Sequence, residues 1–220
     1  MMYWQEEKKE ELFQVPDDVL DVAFRFQCKA IPNDHAWELS QAVKSVLPWF
    51  GQEETHGLHL IHVAESGHGW ERPQAPDAVL YPSRRTRFKL RLPKERLEAA
   101  GALVGRTLTV AGNALEVGEF KTQLLAMTNT LYSRYVISPE TEDDETFIAR
   151  MVEGLHALGL QFSKVISGKG HALATPDGPL QTKSLMVGGL SFPDAVKLQI
   201  RGLGPGRSLG CGLFIPYKSI

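Results

Sequence analysis

Cysteine is nearly absent from this chain. Two occur in 220 residues, Cys28 and Cys211. Each sits in an apolar, strand-like stretch and reads as a small buried hydrophobe rather than half of a disulfide. No run of eighteen apolar residues occurs, so no membrane-spanning helix is expected. The first residues, Met1 to Glu11, are charged and acidic and lack the apolar core of a signal peptide; a cytoplasmic protein is expected. A large net charge is also missing. The formal value of -2 argues against a protein that binds nucleic acid by bulk charge alone. No acid follows Asp194, although four cations do.

What is present is charge kept in separate places. Residues 1–18 form an acidic tail, and residues 140–145 are nearly all acidic. Against these stand Arg84, Arg85, Arg87, Lys89, Arg91, Lys94 and Arg96, opposed only by Glu95. From Gly159 onward Lys164, Lys169, Lys183, Lys197, Arg201, Arg207 and Lys218 face only Asp177 and Asp194. Such segregation is the footprint of a surface that meets an anionic partner, or of two merely solvated basic faces.

The hydrophobic pattern places the elements. Phe24, Phe26 and Cys28 alternate with Arg25, Gln27 and Lys29, which predicts a strand over about 19–30. Ile31-Pro-Asn-Asp34 breaks it, and Asn33 or Asp34 is placed to cap a helix over 35–47. A strand over 57–63, a Gly/Pro-rich loop over 64–82, a strand over 87–92, a helix over 94–104 and a hairpin around Gly112-Asn113 follow. The second half repeats the order: strand 127–138, helix 144–158, strand 160–166, an excursion over 168–183, strand 184–190, a helix capped by Ser191, and a last strand over 211–216. The expected class is α+β, with two tandem ferredoxin-like (βαββαβ) units at 19–122 and 123–220.

Before that last strand comes a run in which Gly202, Gly204, Gly206, Gly210 and Gly212 fall within eleven residues. Backbone N–H groups beside Arg201, Arg207 and Lys218 suit a phosphate chain; glycines packed where two sheets meet are the plain alternative. The run has no Lys-Ser or Lys-Thr after its last glycine and no strand-to-helix setting, so neither a Walker A loop nor a dinucleotide turn fits.

Two stretches carry a resemblance: Ile31-Pro-Asn-Asp-His-Ala-Trp-Glu-Leu39, and Leu198 through the tail Gly210-Cys-Gly-Leu-Phe-Ile-Pro-Tyr-Lys218. With the doubled unit, they resemble the repeat-cleaving endoribonucleases of CRISPR systems, in the repeat-associated mysterious protein superfamily. The tail is similar to that of a short, myxobacterial-type subfamily. The resemblance implies metal-independent cleavage of the repeat hairpin in precursor CRISPR RNA, by attack of a ribose 2′-hydroxyl on the adjacent phosphate. It implies no cofactor, and product held with other effector-complex subunits. A non-catalytic RNA-binding subunit of such a complex is the alternative.

That chemistry needs a base, an acid and cations. His35, at the start of the first helix, matches the family pattern and is the leading candidate, with the helix dipole there favouring a neutral ring. His59 is the second; among His56, His59, His62 and His68 it suits best the family histidine that follows the first helix. His59 and His62 are an odd step apart on a strand and point to opposite faces, which argues against a shared zinc. His156 and His171 receive no role. RNA-backbone contacts are expected from the five glycines, Arg201, Arg207, Lys218, Arg85 and Arg87. Trp37, Tyr132 and Tyr135 are candidates for base stacking, or core residues.

Overall fold

The computed structural model describes residues 13–63 and 78–217. The first sheet is assembled from β1 (Val19–Gln27), β3 (Gly57–His59), β5 (Arg87–Pro93), β6 (Thr107–Val110) and β7 (Asn113–Gln123), in the order β3-β5-β1-β7-β6. Two short strands, β2 (Ile31–Pro32) and β4 (Val79–Leu80), pair beside it. The second sheet holds β8 (Thr130–Ile137), β9 (Lys164–Leu173), β10 (Leu180–Gly188) and β11 (Ile215–Pro216), in the order β11-β8-β10-β9. Leaving β6 aside, both orders place the first and third strands of each unit at the centre and the second and fourth at the edges. This is the ferredoxin-like arrangement, present twice.

Alternation along β1 decides which face is covered. Val22 pairs with Leu90, and Phe24 pairs with Phe88 on one side and Phe120 on the other; the Phe24 and Phe88 rings stack at 5.0 Å. Helix α1 (Ala36–Val46) closes this face with Leu39 and Val43, both fully buried. The opposite face carries Arg25, Arg87 and Lys89 at one end; at the other, Ala23 and Arg91 are buried and Arg91 meets the end of α4. In the second unit α3 (Asp144–Ala157) and α4 (Phe192–Arg201) cover a core of Leu131, Phe147, Met151, Leu185 and Leu198. Ser191 caps α4 as expected, accepting the Asp194 N–H. The units share apolar contact: Tyr135, Leu173 and Cys211 pack into the first unit's core. Both cysteines are free thiols.

Five expectations need correction. Asn33 and Asp34 do not cap α1; His35 takes the N-cap position, and the Asp34 carboxylate accepts the N–H of Ala174 at 2.7 Å. The helix expected over 94–104 is a single α-helical turn, α2 (Leu97–Ala100), between two 3-10 turns. Strand β3 ends at His59 because the chain then turns to give the Ile61 N–H to a histidine ring instead of a neighbouring strand. The excursion over 168–183 is the outer half of a long hairpin, in which His171 pairs with Thr182 and Leu173 with Leu180. Its Gly168 lies directly under Ser184, where any side chain would collide, so the glycine marks close packing rather than a loop. The last strand is only Ile215–Pro216, since Cys211 and Gly212 belong to a turn.

Candidate active site and nucleic-acid interface

His35 is 1% exposed. Its Nδ1–H donates to the Pro32 carbonyl at 2.8 Å, and its Nε2 accepts the Ile61 N–H at 3.0 Å. A ring that donates through one nitrogen and accepts through the other is neutral, and each nitrogen has a backbone partner. His35, the leading candidate for the base, is thus engaged by backbone at both nitrogens. It ties the turn before α1 to the segment after β3.

His59 stands differently. It lies on the face of the first sheet away from α1, paired in register with Lys89, with its side chain 14% exposed. Its Nε2 lies 3.3 Å from Asp21 Oδ1. Burial would raise the Asp21 pKa, but Arg91 and His59 together hold the carboxyl far below its ordinary value. An ionised carboxylate only accepts, so Nε2 carries the proton and the lone pair is left on Nδ1. Burial lowers the His59 pKa below its ordinary value, against the upward pull of Asp21; Arg91 and Lys89 push the same way as burial. The imidazole is thus neutral at pH 7, as a base must be. His59 lines a small pocket of about 40 Å³ together with His62, Arg134, Tyr135, Gly210 and Leu213. The Arg134 Nε there is buried and has no hydrogen-bond partner, and Tyr135 lies between the rings of His62 and His171, at 6.5 and 5.7 Å.

All five glycines of the C-terminal run adopt positive φ, from 64° to 88°. The run folds back on itself: the Leu203 N–H donates to Gly212 O, Cys211 N–H to Gly206 O, and Gly212 N–H to Tyr135 O. Gly210 lies against Leu58 and Leu60 of the first unit. Arg207 is turned inward and only 7% exposed. Its Nη2 donates to Ile200 O at 3.0 Å, and its Nε and Nη2 reach His56 O and Thr55 O at 3.4 Å. Burial lowers its pKa to about 9, so it stays protonated at neutral pH. Arg207, expected to pair with phosphate, here pins the run to the first unit. Arg201, the last residue of α4, is exposed, as are Gly204 and Pro205. Together with Lys197, Gln52, Glu53 and His56 they border an open groove of about 800 Å³. Lys218 and His68 lie outside the described residues.

The basic surface is on the sheet face away from α1. Arg25 and Arg87 are direct cross-strand partners, an arrangement that repels in isolation. With Arg84 they line a groove of about 720 Å³ that also includes Gln27, Glu116 and Glu119. Arg87 donates to the Arg84 and Thr86 carbonyls at 2.8 Å, which fixes the turn carrying the exposed Arg85. Among the described residues no three His, Cys, Asp or Glu side chains are grouped as a metal ion would require, and no helix is long and apolar enough to cross a membrane.

Comparison with known proteins bears on this arrangement. A family model described as "Cas6 Crispr" matches residues 20–219. The chain belongs to the Cas6 CRISPR family. It is 27% identical over 197 residues to the CRISPR-associated endonuclease Cas6 of Myxococcus xanthus (strain DK1622), across 90% of this chain and 81% of the relative. A solved structure titled "CRISPR associated protein Cas6" superposes with a TM-score of 0.62 at 12% identity, covering 91% of this chain and all (100%) of that one. Another, titled "An RAMP protein binding different RNA substrates", gives 0.61 at 14% identity, covering 90% of this chain and 100% of the other.

In this Cas6-family chain several side chains beside the candidate residues escaped sequence reasoning. Asp21 and Arg91 are 70 positions apart, and only the ladder between β1 and β5 makes them neighbours. A faint signal existed, because Asp21 is an acid inside an otherwise alternating apolar strand. Arg134 sits in a run that reads as a plain strand. His56 has its Nδ1 accepting the Gly51 N–H at 3.1 Å and its ring stacked on Phe50 at 5.8 Å. In the sequence only the family pattern separates it from His59.

Proposed function

We propose that this chain is the endoribonuclease that cuts the repeat hairpin of precursor CRISPR RNA, with His59 as general base. The observation that carries the reading is the Asp21–His59 pair, on the sheet face that also carries Lys89, Arg87 and Arg25. The 2′-hydroxyl proton passes to His59 Nδ1 as the O2′–P bond forms. The P–O5′ bond breaks as water gives a proton to the leaving O5′, the hydroxide so formed takes the proton back from His59, and the products are a 2′,3′-cyclic phosphate and a 5′-hydroxyl. Arg134, in the same pocket, offers a desolvated cation for the charge that develops on phosphorus oxygens. The mechanism needs no metal. Incubation with a labelled repeat hairpin in EDTA is expected to give one cut and a cyclic phosphate end; loss of cutting on chelation would sink the metal-independent step.

The RNA strand entering the site follows that face past Lys89, Arg87 and Arg25 toward Arg84 and Arg85. The glycine run and Arg201 hold the backbone at the groove of the other unit. Each ion pair with a single-stranded phosphate releases counterions, worth about 0.7 in the slope of log K against log salt. The triple variant Arg25→Gln, Arg84→Gln, Arg87→Gln is expected to flatten that slope by about 2, with cleavage at saturating RNA unchanged. An unaltered slope would place the RNA elsewhere. The cut product stays bound as part of a larger effector complex with other subunits. The second reading, an RNA-binding subunit that does not cut, draws on the narrowness of the His59 pocket; mapping the ends of the RNA after incubation decides between them.

A further inference from the structure

Arg91 is the largest fully buried side chain among the described residues, at 1% exposed. An arginine in that position calls for a reason, because desolvating a guanidinium is costly unless every donor is used. Its Nε and Nη2 grip the two oxygens of Asp21 at 2.8 and 3.1 Å. Its Nη1 donates to the carbonyls of Gln199 and Phe214 at 2.8 and 3.0 Å. Those carbonyls belong to the second unit: Gln199 lies in the last turn of α4, where carbonyls lack helical partners, and Phe214 lies two residues past the glycine run. The guanidinium is therefore held from both sides, by a carboxylate of one unit and by backbone of the other.

We propose that Arg91 is a positioning residue for His59, which fixes Asp21 so that the carboxylate sets the tautomer and orientation of the imidazole, from a place that exists only when the two units are docked. The proposal rests on the reading of His59 as the base. The charged groups facing His59 are Asp21 from β1 and Lys89 and Arg91 from β5, with His62 and Arg134 across the pocket. Of these only Asp21 is bonded to the ring, and only Arg91 grips Asp21 by both oxygens. A carboxylate with a fixed partner leaves the ring one tautomer; an unheld one leaves it two.

The test follows the His59 ring by NMR titration in the RNA-free protein, beside the pH profile of cleavage. In Arg91→Gln the guanidinium no longer offsets the carboxylate, so the His59 midpoint rises by about one unit or more. The acid limb of the cleavage profile rises with it. In Asp21→Asn the carboxylate's pull is gone, so the midpoint falls by a comparable amount, and cleavage drops across the whole pH range as the tautomer is released. Opposite movements in the two variants are the expected result, and a purely structural role would produce neither. A midpoint unmoved in both, or moved the same way in both, overturns the proposal. Where Arg91→Gln does not fold, Asp21→Asn decides alone, and an unmoved midpoint overturns it. Full cleavage by His59→Ala would instead remove the catalytic reading, and the NMR midpoints would still judge the positioning.

Discussion

Replacing His59 with alanine lowers cleavage of a repeat hairpin by about 10²–10⁴-fold, the usual worth of a positioned general base, while hairpin affinity changes little. The ring lies on the sheet face with one nitrogen on Asp21, and its removal leaves the basic residues of that face in place. Because burial holds its pKa below the ordinary value, the sign of the pH dependence follows. The neutral, active form is present at pH 7, the rate stays level as the pH falls to about 6.5, the ordinary histidine value, and it declines only below that. The parallel variant His35→Ala behaves in the opposite way. It loses a buried ring with two backbone hydrogen bonds and is destabilised by about 2–4 kcal/mol, yet each folded molecule cuts at the normal rate. Measuring both variants by denaturant midpoint and single-turnover cleavage separates the roles. Normal cutting by His59→Ala together with a catalytic loss in a stable His35→Ala would return the chemistry to the helix start.

Gly212→Ala has the second large effect, and it falls on stability. Gly212 has φ of 64°, and a Cβ there would run into the carbonyl oxygens of Leu203 and Gly204. Left-handed backbone costs an ordinary residue about 1–2 kcal/mol. The collision is with main chain, which does not swing aside as a flexible side chain would. A total loss of about 3 kcal/mol is expected, from that strain together with weakening of the Gly212 N–H bond to Tyr135 O. For a chain of this size it appears as a fall of about 6–12 °C in Tm. Gly101→Ala is the control, since its backbone is helical and nothing lies within 4 Å of the new methyl; it is expected to be neutral or slightly stabilising. A Gly212→Ala protein as stable as the parent would mean that the run is not the seal between the units.

The order of the elements was legible in the residues because local physics sets it. Alternation at Phe24 and Phe26, the 3.6-residue stripe of Phe147, Met151 and Leu155, and the Ser191 cap each act within a few positions. The glycine run was legible as unusual, but its two readings, a phosphate cradle and a packing seam, use the same residue for the same freedom of φ. The histidines show the limit most clearly. His35 and His59 are both imidazoles beside strand ends, and the family pattern puts His35 ahead of His59. What separates them is whether a ring meets backbone from Ile61 and Pro32 or a carboxylate from Asp21. Arg207 and Arg91 likewise read as phosphate-seeking cations until packing turns them inward onto carbonyls. The sequence by itself determined the doubled ferredoxin-like unit, the free thiols and the separation of charge, since these follow from periodicity and composition. Tertiary structure alone decided which histidine keeps a lone pair and which arginines face solvent, because those depend on partners brought from up to 152 positions away by the docking of one sheet against the other.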